Sequence, residues 1–349
     1  MRVACSLLGL VAGICLTVFL TNRWIFNYKE SPARTLIHLT ISFILTLGPF
    51  AAGWVFPSPF LLATSLGVVV LFGLGETRRI VLRRRMAAAP PVEHARPPDH
   101  GRWTTPFTTT QLSFARYEVA VPVLSVPCLR IAHASDFHVS EKLPAGYFAQ
   151  AMEAITSHQP DLLLLTGDFI SHTHDLPQLR EVLKNVAKSA RLGTFAILGN
   201  HDHWSDADAI ANVLRDVGIT RLHDQVASIE PAPGRAPIRL CGDERPWGPT
   251  PDWQRNDGVT IVLSHTPDNV YRLARKGAQV VLCGHNHAGQ IRLPGLGAII
   301  VPSVFGRRFD HGHFLVGQTH LFVTAGVGTG SPTFRMYCPP DIFVIDLVA

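Results

Sequence analysis

Five short apolar runs that each end in polar residues restrict the fold of this chain more than any other feature. They occupy residues 131–138, 162–168, 194–202, 259–265 and 280–287. Short apolar runs bounded by turn residues are typical of buried strands, and helical patterns separate several of them. In α/β folds, ligands collect in the crevice beyond the carboxyl ends of such strands. The pattern therefore predicts an α/β fold with one ligand-binding crevice.

The polar residues at the ends of these runs form a mixed oxygen and nitrogen ligand set. Two carboxylates, one amide and four imidazoles are too many for one tetrahedral zinc ion, and the set lacks the thiolates of a structural zinc site. Two adjacent metal ions that share a bridging carboxylate would use all seven side chains. We therefore expect a two-metal centre made of Asp136, His138, Asp168, Asn200, His265, His285 and His287.

Each of these residues also has an ordinary structural interpretation. Asp136 is a suitable helix cap, and Asp168 and Asn200 are suitable turn residues. A single histidine such as His265 is more often a hydrogen-bonded core residue than a ligand. The metal interpretation is favoured because five separate runs share one layout, which no single residue could indicate.

The order of the motifs, D-x-H, G-D, G-N-H-D, S-H and G-H-x-H, resembles that of the calcineurin-like metallophosphoesterases. The resemblance extends from about Ser125 to the C-terminus. Residues 324–330, Arg335 and residues 339–342 are similar to those of membrane-associated bacterial members, the UDP-2,3-diacylglucosamine hydrolases of lipid A biosynthesis. The resemblance implies a four-layer α/β/β/α sandwich, which the large number of strands per helix also favours.

The resemblance also implies a role for each ligand. The first metal ion would be held by Asp136, His138 and His287, and the second by Asn200, His265 and His285, with Asp168 bridging the two. Two ions about 3.5–4 Å apart would activate a bridging hydroxide and neutralise the phosphoryl oxygens. The ligand set fits two divalent ions, manganese first, with iron or zinc as alternatives.

Five further residues are candidates for catalysis or substrate binding. In the family that the motifs resemble, the histidine at position 201 contacts the phosphoryl group and protonates the leaving oxygen. Asp202 is a candidate for orienting that imidazole. Arg307, Arg308 and Arg335 are candidates for binding a diphosphate or carboxylate bidentately, with solvated surface arginine as the alternative.

Three apolar runs precede this region, at residues 3–20, 36–56 and 60–75. The first is about long enough to cross a bilayer core. A cleaved signal peptide is the competing interpretation, but two more apolar runs follow and no small-residue cleavage site is evident. We therefore expect a multi-pass anchor of about three transmembrane helices.

Basic residues in the flanking segments indicate the orientation of this anchor. Arg23, Lys29 and Arg34 follow the first run, and Arg78, Arg79, Arg83, Arg84 and Arg85 follow the third. Three spans with the N-terminus outside place both clusters on the cytoplasmic face. We expect a protein of the inner (cytoplasmic) membrane with its catalytic domain on the cytoplasmic side.

The whole sequence therefore divides into a membrane anchor at residues 1–86, a linker rich in proline and alanine at 87–106, and a catalytic domain at 107–349. Residues 109–121 alternate in polarity, which predicts an edge strand or a hairpin. Helical spacing predicts helices over residues 143–158, 176–190 and 206–217. Strands are predicted at residues 238–241, 259–264, 280–283, 298–301, 321–324 and 342–347.

These features favour a membrane-anchored phosphoesterase with a phosphorylated small-molecule or lipid substrate. The resemblance implies a nucleotide–lipid pyrophosphate similar to UDP-2,3-diacylglucosamine. Two alternatives remain: a phosphodiesterase for soluble or cyclic-nucleotide substrates, and a non-catalytic metal-bound phosphoryl sensor. We expect contact with membrane lipids, no nucleic acid and no protein partner. The six cysteines show neither C-x-x-C nor disulfide-framework spacing, as is usual for free thiols.

Overall fold

The computed structural model describes residues 1–23, 29, 31–96, 104–144, 146–184, 186–253 and 258–349. It divides the chain into two compact units. The first comprises Met1–Met86 together with Ile299–Arg308, and the second comprises Ala87–Ala298 and Phe309–Ala349. The boundary after Met86 coincides with the end of the predicted anchor, but the ten residues from Ile299 onward were predicted as part of the catalytic domain.

The first unit contains three helices that are long and apolar enough to cross a membrane. They are α1 (Arg2–Arg23), α2 (Pro32–Val55) and α3 (Pro59–Met86). α3 continues well past residue 75, where the predicted span ends, because Glu76 and the arginines that follow are good helix formers. The prediction of three N-terminal apolar helices is confirmed.

Close backbone contact holds α1 against α2. A Cβ atom placed on Gly13 would lie 2.1 Å from the Leu45 carbonyl oxygen, and one on Gly9 would lie 2.6 Å from that of Pro49. The hydroxyls of Thr17 and Thr46 lie 3.1 Å apart across the same interface. Small residues that let helix backbones approach, with hydroxyls between them, are typical of helix pairs in membranes.

The second unit alternates strands with short helices. Its strands, in chain order, are β1 (Glu93–Ala95), β2 (Ser113–Ala120), β3 (Cys128–Ala134), β4 (Leu162–Leu165), β5 (Thr194–Ala196), β6 (Thr220–Arg221), β7 (Val226–Ile229), β8 (Ile238–Asp243), β9 (Thr260–Ser264), β10 (Val280–Cys283), β11 (Arg292–Leu293), β12 (Gly297–Ala298), β13 (Gly312–Val316), β14 (Thr319–Val323) and β15 (Asp341–Val348). Its helices are α4 (Tyr147–Ser157), α5 (Leu176–Leu183), α6 (Asn200–Ser205), α7 (Ala207–Val217) and α8 (Val270–Arg275).

Two mixed sheets form the centre of this unit. The first has the order β1-β2-β15-β3-β4-β5-β6, and the second has the order β13-β14-β10-β9-β8-β7. Strands β3, β4 and β5 run parallel to one another, as do β8, β9, β10 and β14. The carboxyl ends of neighbouring strands therefore meet at the same edge of each sheet.

The alternation of side chains along β4 defines the layers. Leu163 and Leu165 pack in the core that includes residues of α4, α5 and α7, whereas Leu162 and Leu164 pack in the core between the two sheets. A strand with both faces buried reads as a continuous apolar run, which is why residues 162–165 are all leucine. α8 packs near β13 of the second sheet. The predicted order of helix, sheet, sheet and helix is confirmed.

Several predicted elements differ in extent. The strand predicted within residues 109–121 is present as β2. Of the two predicted forms, the edge strand is wrong, because β2 lies between β1 and β15, and β1 and β2 are consecutive antiparallel partners as in a hairpin. The strand predicted at residues 298–301 corresponds to β12, which ends at Ala298, because the next residues, Ile299–Arg308, belong to the first unit. The helix predicted to run to residue 190 ends at Leu183. Asp206 caps α7 by accepting a hydrogen bond from the Ala209 amide.

Candidate metal centre

All seven predicted metal ligands follow the carboxyl ends of parallel strands. Asp136 and His138 follow β3, Asp168 follows β4, and Asn200 follows β5. In the second sheet, His265 directly follows β9, and His285 and His287 follow β10. The two sheets face each other across a common core, so the strand topology by itself brings these side chains together.

One group of donor atoms is formed by Asp136, His138 and His287, all of which lie within 4.8 Å of one another. The Nε2 atoms of His138 and His287 are 3.1 Å apart. The Nε2 atom of His287 is also 3.3 Å from Oδ1 of Asp136. Two imidazole nitrogens and a carboxylate oxygen thus point at one small volume.

A second group is formed by Asp168, His265 and His285, whose donor atoms also lie within 4.8 Å of one another. Asn200 belongs with this group, because its Oδ1 atom is 3.1 Å from Nε2 of His265. All four residues are buried. This group therefore offers an amide oxygen in addition to a carboxylate and two imidazoles.

The carboxylate of Asp168 lies between the two groups. Its Oδ2 atom is 3.6 Å from Nε2 of His138 and 3.2 Å from Nε2 of His265. One oxygen of Asp168 is therefore within reach of a histidine from each group. This is the position that a bridging carboxylate needs.

The backbone is folded tightly where these ligands lie. Five of them, Asp136, His138, Asp168, His285 and His287, have φ angles between 41° and 65°. The left-handed region costs a non-glycine residue roughly 1–2 kcal/mol, and such residues cluster at functional sites. Gly199 is required here, because a Cβ atom on it would lie 2.3 Å from Oδ1 of Asp168.

Hydrogen bonds behind the ligands orient two of the imidazoles. Nδ1 of His265 lies 2.7 Å from the Thr166 carbonyl oxygen, which can only accept, so Nδ1 carries the hydrogen. With Nδ1 engaged in this way, Nε2 is the nitrogen left to bind a metal ion, on the side where Asp168 and Asn200 lie. Nδ1 of His138 is 2.8 Å from the hydroxyl of Ser171. Partners of this kind fix the ring orientation of metal-binding histidines.

Burial and mutual charge shift the titration of the cluster. Burial raises the pKa of Asp136 to about 7, and the Asp168 carboxylate acts in the same direction. Burial also lowers the pKa of His138 to about 3, which keeps its imidazole neutral at physiological pH. Although burial opposes its ionisation, the imidazoles of His265 and His201 hold the pKa of Asp168 well below its usual range.

This donor set fits a pair of divalent cations. Neutral imidazoles and carboxylates are the donors that manganese, iron and zinc share, and two buried carboxylates in one cluster need nearby positive charge. The two groups meet at Asp168, so each ion would have three or four protein donors. The fit rests on the donor types and on their mutual distances.

His201 lies beside the centre and is partly exposed. Its main-chain amide donates to Oδ1 of Asp168 at 2.8 Å, and its ring centroid is 4.8 Å from that of His138. A side chain with this position and exposure is accessible to a substrate that approaches the metal ligands.

Asp202 is fully buried and holds the surrounding loops together. Its carboxylate accepts hydrogen bonds from the amides of Asp168, Phe169 and Gly199, at 2.7, 2.8 and 2.9 Å. The sequence suggested that it orients the imidazole of His201, but these contacts join the loops after β4 and β5 instead. The adjacent side chains of His201 and Asp202 leave α6 in different directions, because neighbours on a helix do not share a face.

The three arginines predicted to bind substrate lie in different environments. Arg335 is fully buried, and its Nη2 atom donates to the carbonyl oxygens of Ala325 at 2.7 Å and Gly328 at 2.6 Å. The same Nη2 atom is 3.3 Å from Nδ1 of His287. Arg307 and Arg308 belong to the unit of the three long helices, where Arg307 forms an ion pair with Glu76.

Two residues of the site were missed in the sequence. Glu244 is fully buried and accepts hydrogen bonds from the Leu198 amide at 2.8 Å and from Arg221 at 2.7 Å. The ring of Trp247 lies 5.1 Å from that of His285, measured between centroids. No motif spacing marks either residue, because both act through contacts with segments far away in the chain.

A model of the family described as calcineurin-like phosphoesterase matches residues 129–289. The phosphodiesterase YaeI of Escherichia coli is 31% identical over 63% of this chain and 82% of its own length. An uncharacterized metallophosphoesterase of Bacillus subtilis, YkuE, is 29% identical over 62% of this chain and 78% of its own.

A further relative carries a more specific name. The UDP-2,3-diacylglucosamine pyrophosphatase LpxG of Chlamydia muridarum is 26% identical over 62% of this chain and 83% of its own length. The family match begins at Leu129, within β3, and ends at Gly289, just after the last of the seven clustered side chains. The matched region therefore contains the whole ligand cluster.

Proposed function

Because this chain belongs to the calcineurin-like phosphoesterase family, we propose that it is a membrane-anchored hydrolase of phosphodiester or pyrophosphate bonds that uses two divalent metal ions. The observation that carries the proposal is the position of Asp168, whose Oδ2 atom lies within 3.6 Å of a histidine from each ligand group. A carboxylate shared in this way is typical of two-metal hydrolytic centres.

The ligands divide between the two ions according to these groups. Asp136, His138 and His287 would hold one ion, and Asn200, His265 and His285 the other, with Asp168 common to both. Manganese is the first choice for both ions, with iron or zinc as alternatives. When bound, the pair supplies a water nucleophile at neutral pH and neutralises charge on the phosphoryl oxygens.

His201 is the proposed general acid. The hydrogen bond from its amide to Asp168 fixes its backbone beside the shared carboxylate, while its partly exposed ring is free to face an incoming phosphoryl group. An imidazole in that place can donate a proton to the leaving oxygen. The proposed role of Asp202 is to hold together the two loops that carry Asp168 and Asn200, through the hydrogen bonds that its carboxylate accepts from their amides.

A lipid-linked substrate is the proposed finer specificity. The three long apolar helices would hold the catalytic unit at a membrane surface, where amphiphilic phosphates are concentrated. The basic residues after α1 and α3 favour a cytoplasmic catalytic unit in the inner membrane. The relative named as a UDP-2,3-diacylglucosamine pyrophosphatase supports a nucleotide–lipid pyrophosphate.

Soluble phosphodiesters are the second candidate class. The relative from Escherichia coli, 31% identical to this chain, is named a phosphodiesterase. On this alternative, the apolar helices are a tether and take no part in substrate choice.

The test of the chemistry uses purified full-length protein in detergent, with its metal content measured. We expect about two divalent ions per chain and hydrolysis of bis(p-nitrophenyl) phosphate. Asn200→Ala removes one ligand and should reduce both metal content and turnover. His201→Ala should keep both ions while lowering kcat by 10²–10⁴-fold, the usual contribution of a general acid. Full activity in His201→Ala would contradict its assigned role.

The test of specificity compares a nucleotide–lipid pyrophosphate with bis(p-nitrophenyl) phosphate at equal concentration. A higher kcat/KM for the lipid-linked compound supports the lipid assignment. Faster hydrolysis of the soluble diester supports the second candidate. A protein that binds both ions and hydrolyses neither compound would contradict both.

A further inference from the structure

The segment Ile299–Arg308 forms part of the same compact unit as the three long helices. Asn22, near the end of α1, holds its first half. The Asn22 side chain donates to the Ile299 carbonyl oxygen at 3.3 Å and accepts from the Val301 amide at 2.5 Å. The Asn22 carbonyl oxygen accepts from the Ser303 amide at 3.2 Å. The nitrogen and the oxygen of the Asn22 side-chain amide thus both bind this segment.

Charged residues hold its second half. Glu76 of α3 lies 2.6 Å from a guanidinium nitrogen of Arg307 and 2.8 Å from one of Arg79. Arg79 also donates to the Arg307 carbonyl oxygen at 3.3 Å. The guanidinium of Arg23 lies 3.6 Å from the place where a Cβ atom of Gly306 would be. Arg308 is also within electrostatic range of Arg23.

Arg23, Arg79, Arg307 and Arg308, together with Glu76, are called the arginine cluster below. It combines four positive charges with one carboxylate, and Arg79 and Arg307 are only 10% and 14% exposed. The whole unit contains two acidic residues, Glu30 and Glu76. Its basic residues are Arg2, Arg23, Lys29, Arg34, Arg78, Arg79, Arg83, Arg84, Arg85, Arg307 and Arg308. Positive charge therefore exceeds negative charge in the cluster even if both carboxylates are counted.

Partial burial of excess positive charge is unfavourable unless an anion compensates it. Apolar groups lie beside the guanidinium groups. The Arg23 guanidinium carbon is 4.1 Å from the centroid of the Phe19 ring, and that of Arg308 is 5.3 Å from the centroid of Phe305. Val304, in the same segment, is 51% exposed. Guanidinium groups with adjacent exposed apolar surface match a ligand that has a phosphate and a hydrocarbon part.

We propose that the arginine cluster binds the phosphate of an anionic phospholipid headgroup. Arginine is suited to this ligand, because its planar fork can donate two parallel hydrogen bonds to phosphate oxygens. The cluster is built on the ends of apolar helices, where lipid headgroups would be found if those helices span a bilayer. The inference rests on the proposed membrane location of the helices and is independent of the catalytic proposal.

The cluster differs from an ordinary basic flank of a transmembrane helix. Such a flank consists of exposed residues that are consecutive in sequence, and Arg84 and Arg85 at the end of α3 are an example. Arg307 and Arg308 instead come from a segment more than 200 residues later in the chain, and hydrogen bonds from Asn22 and Arg79 hold that segment in place. This construction predicts a saturable site and not only a general attraction to anionic membranes.

The test is lipid binding to the full-length protein, delipidated in dodecyl maltoside and titrated with phosphatidylglycerol under native mass spectrometry. The double variant Arg307→Gln/Arg308→Gln should weaken the tightest binding event about tenfold or more. Arg84→Gln/Arg85→Gln removes the same charge from exposed positions and should leave that event within about twofold. Equal weakening in both variants, or none in either, would overturn the proposal.

Two further measurements distinguish a phospholipid from other anionic ligands and test the role of Glu76. Phosphatidylcholine should bind more weakly than phosphatidylglycerol, and glycerol 3-phosphate should not compete at equal concentration. Effective competition by glycerol 3-phosphate would identify the ligand as a soluble phosphate and overturn the lipid assignment. Glu76→Gln keeps a hydrogen-bonding group near Arg307 but removes the negative charge, so it should tighten phosphatidylglycerol binding. Weaker binding in Glu76→Gln, with unfolding temperature unchanged, would also contradict the proposal.

Discussion

Arg335 shows how one buried side chain supports the metal centre without serving as a ligand. Its guanidinium satisfies the carbonyl oxygens of Ala325 and Gly328 and approaches Nδ1 of His287. These contacts lie directly behind one of the two ligand groups. In the sequence, Arg335 follows a glycine-rich stretch with no acidic residue beside it. Nothing in that local sequence indicates that its side chain is fully buried.

Arg335→Lys should therefore weaken the metal centre although it conserves the charge. The single ammonium group cannot reproduce the planar fork, so at least one buried carbonyl loses its donor at a cost of about 1–3 kcal/mol. We expect 10–100-fold weaker binding of one of the two ions, as is usual when a residue behind a ligand is changed. The measurement is metal retained after dialysis against increasing concentrations of a chelator.

Arg235→Lys is the matched control, because Arg235 is exposed. It should retain both ions as the unmodified protein does. If Arg335→Lys also retains both ions at every chelator concentration, Arg335 does not support the metal centre.

The ligand residues were predictable because each one closes a strand that is recognisable in sequence. The carboxyl ends of parallel neighbours must meet, so a ligand at the end of each strand implies a shared site. The contacts of Asp202 were not predictable in the same way. Its partners are backbone amides on two loops, and backbone amides leave no trace in an amino-acid pattern.

At the scale of elements, the short helix α6 depends on support from outside itself. It has only six residues and carries Asn200, His201 and Asp202. A helix this short is not stable alone. Glu244, directly after β8 of the second sheet, accepts a hydrogen bond from the Leu198 amide just before α6. Its carboxylate also lies 3.1 Å from Nε2 of His203 within the helix. Glu244 thus joins α6 to the opposite sheet.

Glu244 should make the stability of the protein depend on pH. Although burial opposes ionisation, hydrogen bonds from His203 and Arg221 lower the pKa of Glu244 to about 2, from an ordinary value of 4.5. A group whose pKa is lower in the folded state stabilises the fold above its unfolded pKa, and this contribution is lost as the pH falls. Here it is complete above pH about 4.5 and disappears toward pH about 2. Its size is on the order of 3 kcal/mol.

Glu244→Gln removes this contribution and should lower the unfolding temperature more at pH 7 than at pH 3. The measurement is thermal unfolding in detergent with metal removed, so that loss of bound metal at low pH does not contribute, and each variant is compared with the unsubstituted protein at the same pH. Glu153→Gln alters an exposed carboxylate on α4 and should have little effect at either pH. An effect of Glu244→Gln that is the same at both pH values would contradict the assigned ionisation.

Element types were predicted better than element ends. The buried leucines of β4 and the helical spacing of α7 reflect burial patterns that neighbouring residues reveal. The run at residues 298–301 has the composition of a strand, yet β12 ends at Ala298. Val301 is fully buried, and its amide donates to Asn22. Its backbone is therefore bound to a distant part of the chain, and composition cannot distinguish a buried segment of this kind from a strand.

At the scale of the whole molecule, the chain passes between its two compact units three times, after Met86, Ala298 and Arg308. The order of the sequence indicated a single connection, through the linker at residues 87–106. The extra crossings arise because Ile299–Arg308 packs with the helices through Asn22, Glu76 and Arg79. Within the first unit, Ile299–Arg308 is therefore held to the three helices by noncovalent contacts as well as through the chain.

Cutting the linker should therefore leave the catalytic unit attached to membranes. A protease site inserted between Met86 and Ala87 lies at the end of α3 and before Ala87, which pairs with Phe314 of β13. After complete cleavage we expect most of the C-terminal fragment to sediment with the membranes. The hydrogen bonds of Asn22, the ion pair of Glu76 with Arg307 and the full burial of Val301 and Ser303 oppose its release.

The double variant Asn22→Ala/Arg307→Ala removes the main polar contacts of the segment and should move the cleaved fragment into the supernatant. Arg84→Gln/Arg85→Gln should not, because it changes exposed charges outside the arginine cluster. Before cleavage, all of these proteins should sediment alike, since the covalent connection is intact. Complete release of the fragment from the unsubstituted protein would show that the linker alone joins the two units, and retention in Asn22→Ala/Arg307→Ala would locate the attachment outside Ile299–Arg308.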